Sequence, residues 1–101
     1  MTKLGALVEK VRSKNAGPFW LTIDVFCGSS TSYGAVETGL SNQAVADALQ
    51  QSVAKIRRFS MPDLNVIKFS LPRPHVQGSR LDRDMHGAQW AIPISEIELE
   101  T

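Results

Sequence analysis

The segment Phe19 to Cys27 constrains the fold more than any other part of this chain. Phe19, Leu21, Ile23, Val25 and Cys27 occupy alternate positions in it. Side chains on a strand point to opposite faces in turn, so these five share one face. A strand with one wholly apolar face needs a second layer to bury it, so this face is predicted to be core. The other face carries Trp20, Thr22, Asp24 and Phe26. It is mixed, and it reads as partly covered.

A buried strand needs sheet partners, and the chain offers them further on. Leu64 to Leu71 reads as a second strand, with Ile67, Phe69 and Leu71 on the core face and Lys68 and Ser70 on the other. Val53 to Met61 reads as a third. Its Lys55, Arg57 and Arg58 suit an edge, where charge discourages sheet-to-sheet aggregation. Pro62-Asp63 is a turn signal between the two, so they are expected to form a hairpin. Ile94 to Leu99, with Ile97 and Leu99 alternating, is expected to be a final edge strand.

The helical signals are fewer. Leu4, Leu7, Val8 and Val11 fall at i, i+3, i+4 and i+7, which predicts a helix over residues 2–14. Thr2 is its expected cap, and Lys10, Arg12 and Lys14 would complement the negative end of its dipole. Asn15, Gly17 and Pro18 would stop it. Residues 28–40, rich in Gly, Ser and Thr, read as a loop. Asn42 to Ser52 reads as a helix capped by Ser41, with Ala44, Val45, Ala48 and Leu49 buried. Pro72 to Asp84 is a long loop. Met85 to Trp90 reads as one helical turn, with Pro93 preventing a long helix. The expected architecture is a single domain over residues 1–101. It is a two-layer α+β sandwich of ferredoxin-like kind, with helices on one face of a small, mainly antiparallel sheet.

Composition narrows the function. The formal net charge of +1 on 101 residues argues against a general nucleic-acid binder. No apolar run approaches the roughly 20 residues of a membrane-spanning helix, and the start, MTKLGALVEK, lacks a signal-peptide core. A cytoplasmic location is expected. The single Cys27 cannot form an intrachain disulfide, which fits a reducing compartment. Packing is its expected role.

Most candidate chemistry sits where the second strand empties through Pro72-Arg73-Pro74 into the polar loop. Asp82, Asp84 and His86 form D-x-D-x-H. In an extended segment these three side chains share a face, so they can offer a divalent metal two oxygens and an imidazole. The structural alternative is that both carboxylates pair with Arg80 and Arg83 to order the loop. His86, with Asp84 beside it in the motif, is the candidate general acid or base, because its charge changes near neutral pH. Arg73, His75, Arg80 and Lys68 are candidate anion ligands for a carboxylate or phosphate, and Gln77 and Gln89 complete the polar set. Lys68 stands mid-strand between Ile67 and Phe69; its bland alternative is a stem lying over apolar surface at a sheet edge. Trp20, Phe26 and Trp90 are either core or an apolar patch that docks a partner. No Gly-rich phosphate loop is present, and the cofactor is left open.

RSKNAGPFWLTIDVF at 12–26, LNVIKFSLPRP at 64–74 and VQGSRLDRDMHGAQ at 76–89 carry a resemblance. Together they resemble a bacterial family of small proteins known as a domain of unknown function, whose members are associated with acyclic terpene utilisation (AtuA-type) proteins. Arg12-Ser13-Lys14-Asn15-Ala16-Gly17 and the segment IRRFSMPDLNVIKFSLP at 56–72 also resemble the ferredoxin-fold domain of AtuA-type proteins. There the first of these motifs ends an apolar helix. The resemblance implies a large AtuA-type partner and adds Lys14 and Asn15 to the candidate substrate ligands. Two functions follow as expectations. The chain is a small subunit that helps to form a site for a carboxylate or acyl-CoA substrate, with hydratase- or lyase-like chemistry. Alternatively it is a stand-alone enzyme using His86 with Asp82 and Asp84, with or without a divalent metal. Homo-oligomerisation is left open.

Overall fold

A computed structural model describes residues 2–17, 19–72 and 91–99. Four strands form the main sheet: β2 (Lys10–Asn15), β3 (Trp20–Phe26), β4 (Arg57–Met61) and β5 (Val66–Pro72). Their spatial order is β2-β3-β5-β4, and every neighbouring pair is antiparallel. Two short strands, β1 (Thr2–Lys3) and β6 (Glu98–Leu99), pair antiparallel in a separate small sheet. Helices α2 (Ser30–Gly39) and α3 (Asn42–Leu49) both lie in the crossover from β3 to β4. The one-turn helix α1 (Leu4–Leu7) and the short α4 (Ala91–Ser95) complete the described elements.

The layers follow from the alternation in β3 and β5. Leu21, Ile23 and Val25 of β3 are fully buried, as are Ile67 and Phe69 of β5, and Leu71 is almost so. They join one cluster with Val36 and Leu40 from α2 and the turn after it, and with Val45, Ala46 and Leu49 from α3. Leu4, Ile94 and Leu99 close the cluster at its margin. The protein is therefore an α+β sandwich with helices on one face of an antiparallel sheet, as the strand patterns predict. Phe19 is the exception on the predicted core face. It precedes the strand and is exposed.

The predicted helix over 2–14 is replaced by β1, α1 and β2. Leu4 and Val8 are buried, but the chain then turns into a strand. Six residues pair in register with β3, from Lys10↔Phe26 to Asn15↔Leu21. A helix of about a dozen residues is marginal alone, whereas the strand protects one edge of β3 through a full ladder. Lys10, Arg12 and Lys14 thus line one face of β2 and have no helix dipole to complement. The RSKNAG motif runs from strand into hairpin turn, not from a helix end. Gly17, at φ +79°, supplies the left-handed residue of that turn, and the Ala16 N–H donates to the Trp20 carbonyl at 3.0 Å.

Residues 28–40 are mostly helix, not loop. The Ser29 hydroxyl accepts from the Ser32 N–H at 3.1 Å and caps α2. Tyr33, Val36 and Leu40 supply an inward stripe that the small polar residues around them disguise. Helix α3 starts as predicted, its Ser41 cap accepting from the Ala44 N–H at 3.0 Å. It stops at Leu49. Of the predicted third strand, Val53–Lys55 forms a 3-10 turn and only Arg57–Met61 pairs, at the sheet edge. Ile94 belongs to α4, so the predicted final strand reduces to β6, which pairs with β1 and not with the main sheet. Pro93 falls in the first turn of α4, where a missing N–H leaves no helical hydrogen bond unmade.

Candidate functional site

The helices cover one face of the sheet. Among the described residues no helix packs on the other, where the ladders set side chains in rows across the strands. One row is Arg12, Asp24, Lys68 and Phe59; the next is Lys14, Thr22, Ser70 and Arg57. A third holds Lys10, Phe26, Val66 and Met61. The described part of this face thus carries the cations Lys10, Arg12, Lys14, Arg57 and Lys68 against the carboxylate of Asp24. Trp20 (40% exposed) and Phe59 (49% exposed) add aromatic surface.

A cleft of about 700 Å³ lies over β5 and β4. Thr22, Phe59, Met61, Lys68 and Ser70 line it, together with Arg58 and Ser60 of the edge strand. Lys68 and Asp24 stand directly opposite each other on the two central strands. They make no ion pair: those of the described residues are Lys3–Glu96 and Arg58–Glu37. The Asp24 Oδ1 is buried and accepts no hydrogen bond from the described residues. A buried polar atom without a partner costs stability, so the atom marks a local cost that the fold carries at this point of the face. The other cations are partly engaged. Lys10 Nζ lies 4.9 Å from the centroid of the Phe26 ring, and Arg58 is held by α2.

The structure brings two of the sequence-predicted ligands, Lys14 and Lys68, to the same sheet face, in adjacent rows. Asn15 falls on the opposite face, beside Leu21. Arg73, His75, Gln77, Arg80, Asp82, Arg83, Asp84, His86, Gln89 and Trp90 lie outside the described residues. Among those described, no group of three His, Cys, Asp or Glu residues is placed to hold a metal. Asp24, Thr22, Phe59 and Ser70 were missed as site residues. Their shared face is legible from strand alternation, but their adjacency depends on the β3–β5 register. Cys27 is buried in the core cluster, and burial pushes its thiol pKa up, with a smaller push from Glu37. Packing accounts for it.

A family model for a domain of unknown function, DUF4387, matches residues 4–98. The chain belongs to this family. The match spans the core strands, both main helices and the cationic face. No curated protein and no solved structure matches the chain. No helix among the described residues is long and apolar enough to cross a membrane.

Proposed function

We propose that this chain is a small cytoplasmic subunit that docks on a larger AtuA-type protein and helps to form its site for a carboxylate or acyl-CoA substrate. The observation that carries the reading is the sheet face without a described helix. It is cationic, it exposes Trp20 and Phe59, and it holds a cleft. Aromatic and Arg side chains are the usual anchors of protein interfaces. A small chain encloses a deep pocket poorly by itself, and pockets often form between subunits. The resemblance in the sequence motivates the choice of partner. Hydratase- or lyase-like chemistry on the substrate would then be shared between the two proteins, with Arg73, His75, Gln77, Arg80 and Gln89 as further ligands from this chain.

Co-expression with an AtuA-type protein, followed by purification through a tag on one chain, tests the reading. Stable co-elution is expected, and Trp20→Ala with Phe59→Ala should weaken it without moving the thermal transition. Separate elution overturns it. Metal analysis of the purified chain tests the stand-alone enzyme. Stoichiometric metal lost on His86→Ala would favour that reading, with Asp82, Asp84 and His86 as ligands.

A further inference from the structure

The sheet divides the charge of this protein. Its open face carries Lys10, Arg12, Lys14, Arg57 and Lys68 against Asp24 alone. The other described residues hold Lys3, Lys55 and Arg58 against Glu9, Glu37, Asp47, Asp63, Glu96 and Glu98. A chain with a formal net charge of only +1 thus turns a basic face outward, while the rest of what is described is acidic in balance. The face cations have no ion-pair partner among the described residues, where the ion pairs join Lys3 to Glu96 and Arg58 to Glu37. Lys10 rests over the Phe26 ring, which still leaves its charge without a counterion.

These cations are also ordered. Lys10, Arg12 and Lys14 take alternate positions on β2, and all three are exposed. A strand rises about 3.3 Å per residue, so they form a row spaced by roughly 7 Å along one edge of the sheet. Lys68 lies two strands in from that row, and Arg57 lies on the far edge strand. Like charges gathered on one face repel, and an anionic surface laid over them relieves the repulsion. Trp20 and Phe59 expose aromatic area on the same face, the kind that anchors protein interfaces.

An acidic protein surface matches both features. A nucleic-acid strand asks for a basic excess over the domain, and here the residues off the face carry the opposite balance. A second copy docked by two-fold symmetry would bring the same cations to the contact. We infer that this sheet face docks on a carboxylate-rich surface of a larger protein, with Lys10, Arg12, Lys14 and Lys68 meeting Asp and Glu side chains and Phe59 seated in an apolar contact beside them. The inference rests on the proposed subunit reading and names the chemistry of the partner's surface.

The test treats the co-expressed complex with a carbodiimide, which joins a carboxylate to a lysine amine only where the two meet, and maps the products by mass spectrometry. Cross-links from Lys10 or Lys14 to Asp or Glu of the large protein are expected, and none from Lys55, which lies outside the sheet. Arg12→Glu with Lys14→Glu should slow association about tenfold at low salt and flatten its dependence on ionic strength, because steering by unlike charges is screened. Arg12→Gln with Lys14→Gln should fall between, and it serves if the reversal disturbs the sheet. A complex that forms at a salt-independent rate, or without cross-links from the face lysines, overturns the inference and leaves the subunit reading standing. Cross-links from Lys10 or Lys14 to acids of this chain itself assign the face to a second copy. Saturable binding of poly(U) to the purified chain, lost in the same variants, assigns it to nucleic acid. Either result overturns the inference. No complex at any salt sinks the subunit reading, and the inference with it.

Discussion

Arg58, on the edge strand β4, fastens the end of helix α2 through Glu37. Its guanidinium donates to the Glu37 carbonyl at 3.0 Å and meets the Glu37 carboxylate at 3.3 Å. It also donates to the Leu40 carbonyl and lies over the Phe69 ring, 5.6 Å from the centroid. Ser60 adds a hydrogen bond to the same carboxylate at 2.8 Å. The pair therefore ties helix layer to sheet edge, and its carbonyl contacts satisfy the orphan acceptors at a helix C-terminus. Arg58→Met should destabilise the fold by about 2 kcal/mol, the scale of a charge-assisted hydrogen bond lost from a partly buried site. Arg58→Lys should recover only part of it, since one ammonium cannot reproduce the fork. Urea denaturation of the three proteins checks this; a Lys variant as stable as the parent would refute the fork geometry.

Ile23→Asp should abolish cooperative unfolding. Ile23 is fully buried at the centre of β3, facing both helices through the core cluster. A charge there has no partner and cannot be hydrated. A far-ultraviolet melt checks it, and a sigmoidal transition near that of the parent would contradict the assignment of the core face.

Gly28→Ala should cost more than Gly17→Ala. Both glycines have positive φ, at +83° and +79°, so both substitutions incur backbone strain of about 1 kcal/mol. At Gly28 the added Cβ also sits 3.2 Å from the Glu9 Cβ, whereas at Gly17 it meets nothing within 4 Å. The difference between the two melting temperatures isolates the contact. Equal losses would show that Glu9 moves aside freely.

Cys27 should react slowly with a thiol reagent in the native protein and fast in urea. Its thiol is buried, and burial holds its pKa above the ordinary thiol value, so little thiolate forms. The sign for stability follows. The folded chain keeps this proton at pH values where the unfolded chain loses it, so the contribution is complete below the unfolded thiol pKa of about 8.5 and declines as pH rises toward the folded value. Cys27→Ala should flatten that part of the stability profile between pH 8 and 10. An unchanged alkaline slope in the variant would assign it to other groups.

Local pattern was enough for the parts of this protein whose neighbours repeat the same signal. The alternation in β3 and β5, the hairpin at Pro62-Asp63 and the Ser41 cap are each written in a few consecutive residues, because strand period and capping chemistry act at short range. Ambiguity began where one stretch satisfies two periods. Leu4, Leu7, Val8 and Val11 match a helical stripe, while Val11, Ser13 and Asn15 alternate with Lys10, Arg12 and Lys14 as a strand does. The open edge of β3 decided between them, since only a strand fills its ladder. The Ser- and Gly-rich run that becomes α2 was settled the same way, by Val36 and Leu40 finding the sheet. Lys68 was visible as an oddly placed lysine, but its meaning was not. Asp24 is more than forty residues away in the chain, and only the β3–β5 register sets the two side by side. Sequence determines which residues can share a face; pairing across the sheet, driven by burial of the opposite face, determines which of them meet.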